Sequence, residues 1–521
     1  MKKYIEIVII SFISIIITSG CDDWLDIRPE SEIVLEDFWK NESQVKQVLA
    51  ACYRSLTEPD VVRRMMVWGE LRSDNVTYGR YITEELYKIL NLDINAANSF
   101  CKWGPFYTVI NYCNNFLYYA PDVVKLDPNF TESKLRSMEA EVLTIRALAY
   151  FYLIRTFKDV PWIEEPSIDD TQDYNVPKSS EATIIENIIR DLLKALKYAK
   201  DSYDITEYNK GRITKNAIRA LLADVYLWKG DFSKCIEICD QILNNSKQSL
   251  SLVRGEDLLK KVFYYGNSSE SIFELQFDDK MMYNYAIRDY YGSASSRFGM
   301  WSFPSILIIG DASPFNYKTI EGIEAENDLR KKDFLYPEPG GDKYFVFKYA
   351  GVERLENVST GVSTYYYRNN TANWIIYRLS DVILMKAEAL IEMETDYEEA
   401  IRLINMTYTR ANNLSNVNEL KLSNYNSKVE MEKLLMRERQ RELMFEGKRW
   451  FDLLRLARRE NSPSPLMNYV IKKFSGNTSI QSSKMMVMDA LYLPIHNDEL
   501  KANPALKQNP YYELLSKENN K

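Results

Sequence analysis

The sequence predicts a mostly α-helical protein whose helices pack as antiparallel pairs around one long stretch of loops and short strands. Three observations carry this. Residues 183–200 place Ile184, Ile185, Ile188, Ile189, Leu192, Leu193 and Leu196 at helical spacing, one apolar face to a helix. Residues 217–243 and 381–412 each read as helix, short turn, helix. Residues 246–373, by contrast, are rich in Gly, Ser, Tyr and Asn and have few helical periods.

In chain order, the first 20 residues read as a leader that is separate from the fold. Lys2 and Lys3 precede an apolar run over 7–17, and Thr18, Ser19 and Gly20 are small. The run is short for a membrane span. Cys21 follows directly, as in a bacterial lipobox, although Thr18 stands where that pattern carries Leu. Lipid attachment at Cys21 would anchor the mature chain, two acyl chains holding where one binds only weakly. Residues 44–118 and 133–200 are expected to hold divergent helix pairs. Residues 139–157 are apolar on nearly every face, which predicts a fully buried helix. In 217–243 the turn is Gly230-Asp231-Phe232, and in 381–412 it is Thr395-Asp396-Tyr397. An aromatic follows each turn Asp, and a small residue, Cys235 or Ala400, comes three positions later. This resembles the tetratricopeptide hairpin, in which small residues let paired helices approach. The long separation of the two units argues against a simple tandem array. Between them, 271–277 and 344–349 alternate like strands. Disordered segments are poor in aromatics, so the many rings here predict an ordered surface region.

Composition excludes several functions. Lys and Arg number 66 against 74 Asp and Glu, a net charge of −8 that argues against a nucleic-acid surface. Cys52, Cys101, Cys113, Cys235 and Cys239 have no zinc spacing, and buried free thiols are expected. The single histidine, His496, would have to serve any Ser-His-Asp or Cys-His site, and it sits in a loop after Pro494. No Gly-rich phosphate loop is present. Glu438, Arg441, Glu442, Glu446, Arg449 and Asp452 interleave with apolar residues on what reads as one helix, with Gly447 inside it. Charges three or four apart pair along a helix, so this is read as a structural ion-pair network, and the Arg378–Asp381 pair likewise. Gly447 is expected to allow close backbone contact.

Several of these motifs together resemble the SusD/RagB family of outer-membrane lipoproteins. They are Cys21-Asp22-Asp23-Trp24-Leu25-Asp26; Trp103 with Phe106, Tyr107, Ile110 and Asn114; Glu141, Arg146, Ala147 and Tyr150, with Pro161 following; and Gly211-Arg212-Ile213-Thr214. Further on come Tyr377-Arg378-Leu379-Ser380-Asp381 with Met385, Ala387, Glu388 and Ala389, then residues 438–455, then Leu493-Pro494-Ile495 to Asn509-Pro510. The resemblance implies a SusD-like fold with about four tetratricopeptide-like pairs and a loop-rich C-terminal portion with short strands. It divides the chain into a leader (1–20), an N-terminal helical region (21–245) and a C-terminal region (246–521). It implies a non-catalytic lipoprotein of the outer membrane that needs no cofactor or metal. Such a protein captures glycan at the cell surface and caps a TonB-dependent, SusC-like transporter. Peptide cargo and, less favoured, a carboxylate-based glycoside hydrolase stay open beside it. Asp22-Asp23 is similar to signals that route such lipoproteins to the exterior.

A glycan site needs flat aromatics beside polar side chains. One candidate stretch runs over 68–81 with Asn75 and Tyr78, and another over 283–303 with Arg288, Asp289, Tyr290, Tyr291 and Trp301. Tyr290 and Tyr291 are the preferred stacking rings, because Asp289 before and Gly292-Ser293 after mark a loop. Trp301 and Phe303 fit the start of a buried segment equally well.

Overall fold

The helical spacing resolves into antiparallel pairs that stack side by side. In the computed structural model, α1 (Glu42–Leu56) is followed by α2 (Pro59–Met66), α3 (Gly104–Leu126), α4 (Glu132–Phe157), α5 (Glu181–Tyr198), α6 (Lys215–Lys229) and α7 (Phe232–Leu243). After the loop-rich stretch come α8 (Leu379–Met393), α9 (Tyr397–Ala411), α10 (Lys428–Leu443) and α11 (Arg449–Arg459). The structure describes residues 38–168, 172–245, 250–292, 301–319, 322–337, 343–349, 352–356, 359–360, 363–367, 371–412, 419–474, 476 and 478–519. The predicted leader, Cys21 and Asp22-Asp23 lie outside the described residues.

Helix α1 pairs with α3, α4 with α5, α6 with α7 and α8 with α9. Each pair also packs on the next, through α3–α4, α5–α6 and α7–α8. The two sequence-distant hairpins are thus direct neighbours, and the expectation drawn from their separation is corrected: the intervening stretch is an excursion from a continuous stack. Cys235 shows how close the join is, its Sγ lying 4.0 Å from the Met385 carbonyl across the α7–α8 contact. Ala400 is fully buried where α9 packs.

Local chemistry sets the helix ends. Asn41 and Gln44 exchange side-chain-to-amide bonds at 3.2 Å, a reciprocal cap that opens α1. The turns of the two hairpins differ in detail. Gly230 takes the left-handed φ of +84° that ends α6, and Asp231 caps α7. Glu394 takes the same role at φ +54°, and Asp396 caps α9. Helix α4 is buried on every face from Met138 onward, as its composition predicts. Its charges are paired outward, Arg146 to Asp191 of α5 at 2.6 Å and Arg155 to Asp224 of α6 at 3.3 Å. The five described cysteines are all buried and unbridged.

The excursion and the segments it packs on carry short antiparallel strands. They include β1 (Val76–Tyr78), β2 (Ser271–Leu275), β3 (Ser302–Pro304) and β4 (Trp374–Arg378). Strand β1 pairs with β3, and β2 with β4. Many of its rings build an interior layer where a surface was expected. Tyr349 lies 5.2 Å from Phe263 and 5.3 Å from Trp374, and stacks with Tyr291.

The charged motif at 438–455 is not one helix. Helix α10 ends at Leu443, and the chain reverses through Phe445 (φ +67°) and Gly447 (φ +68°) before α11 begins at Arg449. Gly447 sits in this turn and makes the close backbone contact expected of it: a Cβ on facing Gly69 would lie 1.8 Å from the Gly447 carbonyl oxygen. The structural reading of the motif's charges holds. Arg378 and Asp381 do not pair with each other, however; Arg378 donates to Glu446 at 2.7 Å, and Asp381 accepts from Lys448 at 2.6 Å.

A Gly447→Ala substitution tests this turn. Its Cβ would meet Trp374 at 2.9 Å in a backbone conformation that L-residues avoid. We expect a loss of roughly 2–4 kcal/mol in urea unfolding, from backbone strain and overpacking together.

Candidate functional site

The two candidate stretches lie more than two hundred residues apart, yet the fold joins them. Strand β1 supplies Tyr78 and β3 follows directly on Trp301, with Tyr78 opposite Ser302 and the Gly79 amide donating to the Trp301 carbonyl at 2.8 Å. Residues opposite each other in an antiparallel ribbon share a face, so Tyr78 and Trp301 project from opposite faces of this one. Tyr78 is 53% exposed and meets Tyr87 edge-on at 6.0 Å. Tyr81 is 62% exposed, and Arg80 between them is exposed as well. Trp301 is half-buried, with the Arg63 guanidinium 6.0 Å from its ring centre. Sugar rings offer apolar faces to such rings and hydroxyls to such guanidinium groups.

Other predicted residues do different work. Tyr290 and Tyr291 are fully buried, which corrects their reading as stacking rings. The Tyr291 hydroxyl donates to the Phe445 carbonyl at 2.8 Å, so the α10–α11 turn covers it. Tyr290 lies edge-on to both Tyr291 and Trp301. Asp289 and Tyr290 lie within the short helix Tyr285–Tyr290, which Tyr291 ends, so the loop expected from the flanks is corrected here as well; what covers these rings comes from far along the sequence. Asn75 is likewise buried, donating to Glu70 at 2.6 Å and accepting from Gln440 at 2.9 Å, and is a brace, not a ligand contact. Asp289 is nearly buried and accepts from Arg63 at 2.6 Å and from Arg288 at 2.8 Å. It therefore positions Arg63 beneath Trp301, while Arg288 lies half-exposed over Tyr285. Arg63 and Tyr87 were missed, and no local signal marks them, since each belongs to a helix whose pattern is ordinary.

A cavity of about 1050 Å³ contains none of the predicted site residues. It opens between α1, α4 and the end of β2. No sequence signal found it, because its walls come from several distant segments.

His496 is a helix cap: its Nδ1 accepts from the Asp498 amide at 3.0 Å. The carboxylates of the 438–455 motif are buried among cations. Glu438 and Glu442 both accept from Arg330, at 2.7 and 2.8 Å, with no exposed side-chain surface. A hydrolytic pair must reach substrate and water, and these reach neither.

Burial pushes the Glu70 carboxyl up to about 7, against the bonds it accepts from Asn75 and from the Phe445 and Gly447 amides. A raised carboxyl pKa contributes stability at pH below the unfolded value, lost as pH rises toward the folded one. We therefore expect Glu70→Gln to gain on the parent between pH 5 and 8, by roughly 2.5 kcal/mol. Urea midpoints of the two proteins at both pH values measure it.

Comparison with known proteins places this architecture. A family model described as "Starch-binding associating with outer membrane" matches residues 23–227, and the SusD family model matches 339–512. SusD-like protein P2 of Formosa agariphila is 26% identical over 484 residues, covering 88% of this chain and 91% of its own. A SusD homolog of Bacteroides thetaiotaomicron superposes with a TM-score of 0.74 at 19% identity, over 92% of this chain and 99% of its own. A SusD superfamily protein of Bacteroides vulgatus gives 0.73 at 21%, over 91% and 100%. The fold is that of the SusD superfamily: stacked helix pairs carrying a loop-built face. The chain belongs to the SusD/RagB family.

Proposed function

We propose that the protein is a cell-surface glycan-binding lipoprotein of the outer membrane, anchored through lipid on Cys21. It captures oligosaccharide and caps a TonB-dependent, SusC-like transporter, to which it delivers its cargo. The observation that carries the reading is the meeting of two remote aromatic stretches at the β1–β3 ribbon, with the exposed Tyr78 and Tyr81 flanking Arg80 on the chain and the half-buried Trp301 over Arg63. Family membership supports the assignment, as does the description of the model over 23–227. The protein acts by binding and not by catalysis: the carboxylates of its densest charged motif are buried and ion-paired. A rigid helical stack holding aromatic residues on loops suits capture without chemistry.

Native gels containing soluble starch, xylan, pectin or mucin test this, run with the full chain in mild detergent. The parent is expected to be retarded in at least one gel, and Trp301→Ala and Tyr78→Ala to bind about tenfold more weakly, near 1.4 kcal/mol for each ring. A parent that migrates alike in all gels contradicts the reading.

A further inference from the structure

The large cavity has the chemistry of a carbohydrate site but lies apart from the ribbon. Two exposed rings stand at it, Tyr208 on the helix Thr206–Gly211 (48% exposed) and Tyr265 (53%). A cation stands over each ring, Arg212 at 5.8 Å from the Tyr208 centre and Lys260 at 5.8 Å from that of Tyr265, and the exposed remainder of each is open to a sugar. Between them lies a pair of side-chain amides. Asn267 and Gln276 exchange two N–H···O bonds, each of 2.9 Å, and each residue stays half-exposed. Within this pair Asn267 keeps one N–H and one lone pair for hydroxyl groups, while Gln276 is filled, its second N–H donating to the Glu274 carbonyl at 3.2 Å and its oxygen also accepting from Asn373 at 3.2 Å.

The wall is held in place before any ligand arrives. Asn267 adopts a left-handed φ of +52°, and its backbone amide donates to Glu274 at 3.0 Å. Asn373 braces the pair by donating to both Glu274 (2.8 Å) and Gln276 (3.2 Å). Gly211 lies flat against Gln276, where a Cβ would come within 2.5 Å of its Cγ. On the opposite wall, Glu141 accepts from Tyr53 at 2.5 Å and from Arg212 at 2.7 Å. Fixed polar groups of this kind reduce the ordering cost of binding.

Charge argues for a neutral ligand. The lining sets Lys46, Arg54, Lys134, Lys200 and Arg212 against Glu42, Glu141, Glu207 and Asp278, and Arg54 is paired with Glu58 just outside it at 3.2 Å, so the charges balance; Arg212 pairs with Glu141 at 2.7 Å, and Lys46 and Lys134 share Glu42 at 2.7 and 2.8 Å. The volume is at the upper end for small-ligand pockets, which suits several sugar units better than one. A second groove, about 580 Å³, shares Arg54 with the cavity and includes Arg63, the residue that reaches Trp301.

We propose that this cavity is a second carbohydrate subsite, which takes a neutral oligosaccharide and is joined to the ribbon by the groove along α1 and α2. The proposal rests on the glycan-binding reading, and the experiment separates the two. A printed array of neutral and acidic oligosaccharides of increasing length is probed with the full chain in mild detergent. The double variant Tyr208→Ala, Tyr265→Ala and the ring-keeping pair Tyr208→Phe, Tyr265→Phe are probed alongside. Both tyrosines are exposed, so the alanine variant should keep the parent's unfolding midpoint. It is expected to lose at least tenfold in affinity for the longer neutral chains, and the phenylalanine variant to stay within about threefold of the parent. Equal binding of parent and alanine variant at every length overturns the second subsite while leaving glycan binding intact. An equal loss in the phenylalanine variant overturns the stacking role. A parent that binds no spot overturns the glycan reading itself.

Discussion

The structure depends on a lattice of buried ion pairs centred on Glu442. That carboxylate accepts from Arg378 at 2.5 Å, from Arg330 at 2.8 Å and from Arg410. Arg378 also donates to Glu270 at 2.5 Å and to Glu446 at 2.7 Å, and Lys348 reaches Glu446 at 2.6 Å. Arg441 and Arg437 bind Glu324, and Arg441 also reaches Glu438. With Asp328 on Arg330, the lattice holds six cations and six carboxylates, so the largely buried cluster is neutral. Such clusters gain little over an apolar filling but are costly to break singly, because a removed partner leaves a charge without water or counter-charge. They therefore act more as a specification of geometry than as a source of stability.

What they specify is the seat of the excursion. Glu270, Glu324, Asp328, Arg330 and Lys348 all come from the loop-rich stretch, and Glu438, Glu442 and Glu446 come from α10 and the turn after it. The same turn receives the Tyr291 hydroxyl, and its Phe445 and Gly447 amides donate to Glu70, two residues beyond Trp68. Asp74, on the way into β1, is held by Arg449 at 2.8 Å. The ribbon that presents Tyr78 and Trp301 is thus fixed from both strands by one reversal of chain between α10 and α11. Exposed rings can then sit on short strands and loops without a sheet of any width behind them.

This dependence explains what was legible in the sequence. The helix pairs were, since periodicity and turn chemistry are local. The 438–455 motif announced an ion network, but its partners lie 64 residues away at Arg378 and 112 at Arg330, beyond any local pattern. Nor does composition show that Phe445 takes a left-handed φ, so one helix was expected where two are found. Tyr290 and Tyr291 carried the marks of a surface loop, and only the fold brings the α10–α11 turn over them. The two aromatic stretches were found by composition alone; their joining in one ribbon is a tertiary fact.

The most direct test of this account is hydrogen exchange on Glu442→Gln, an isosteric change that strips Arg378, Arg330 and Arg410 of their shared counter-charge. The account predicts that amides of β1, β3 and the α10–α11 turn lose protection while α4 and α5 keep theirs, with an overall cost of about 3–5 kcal/mol. Unchanged protection at β1 and β3, or an equal loss throughout the helix pairs, would contradict it.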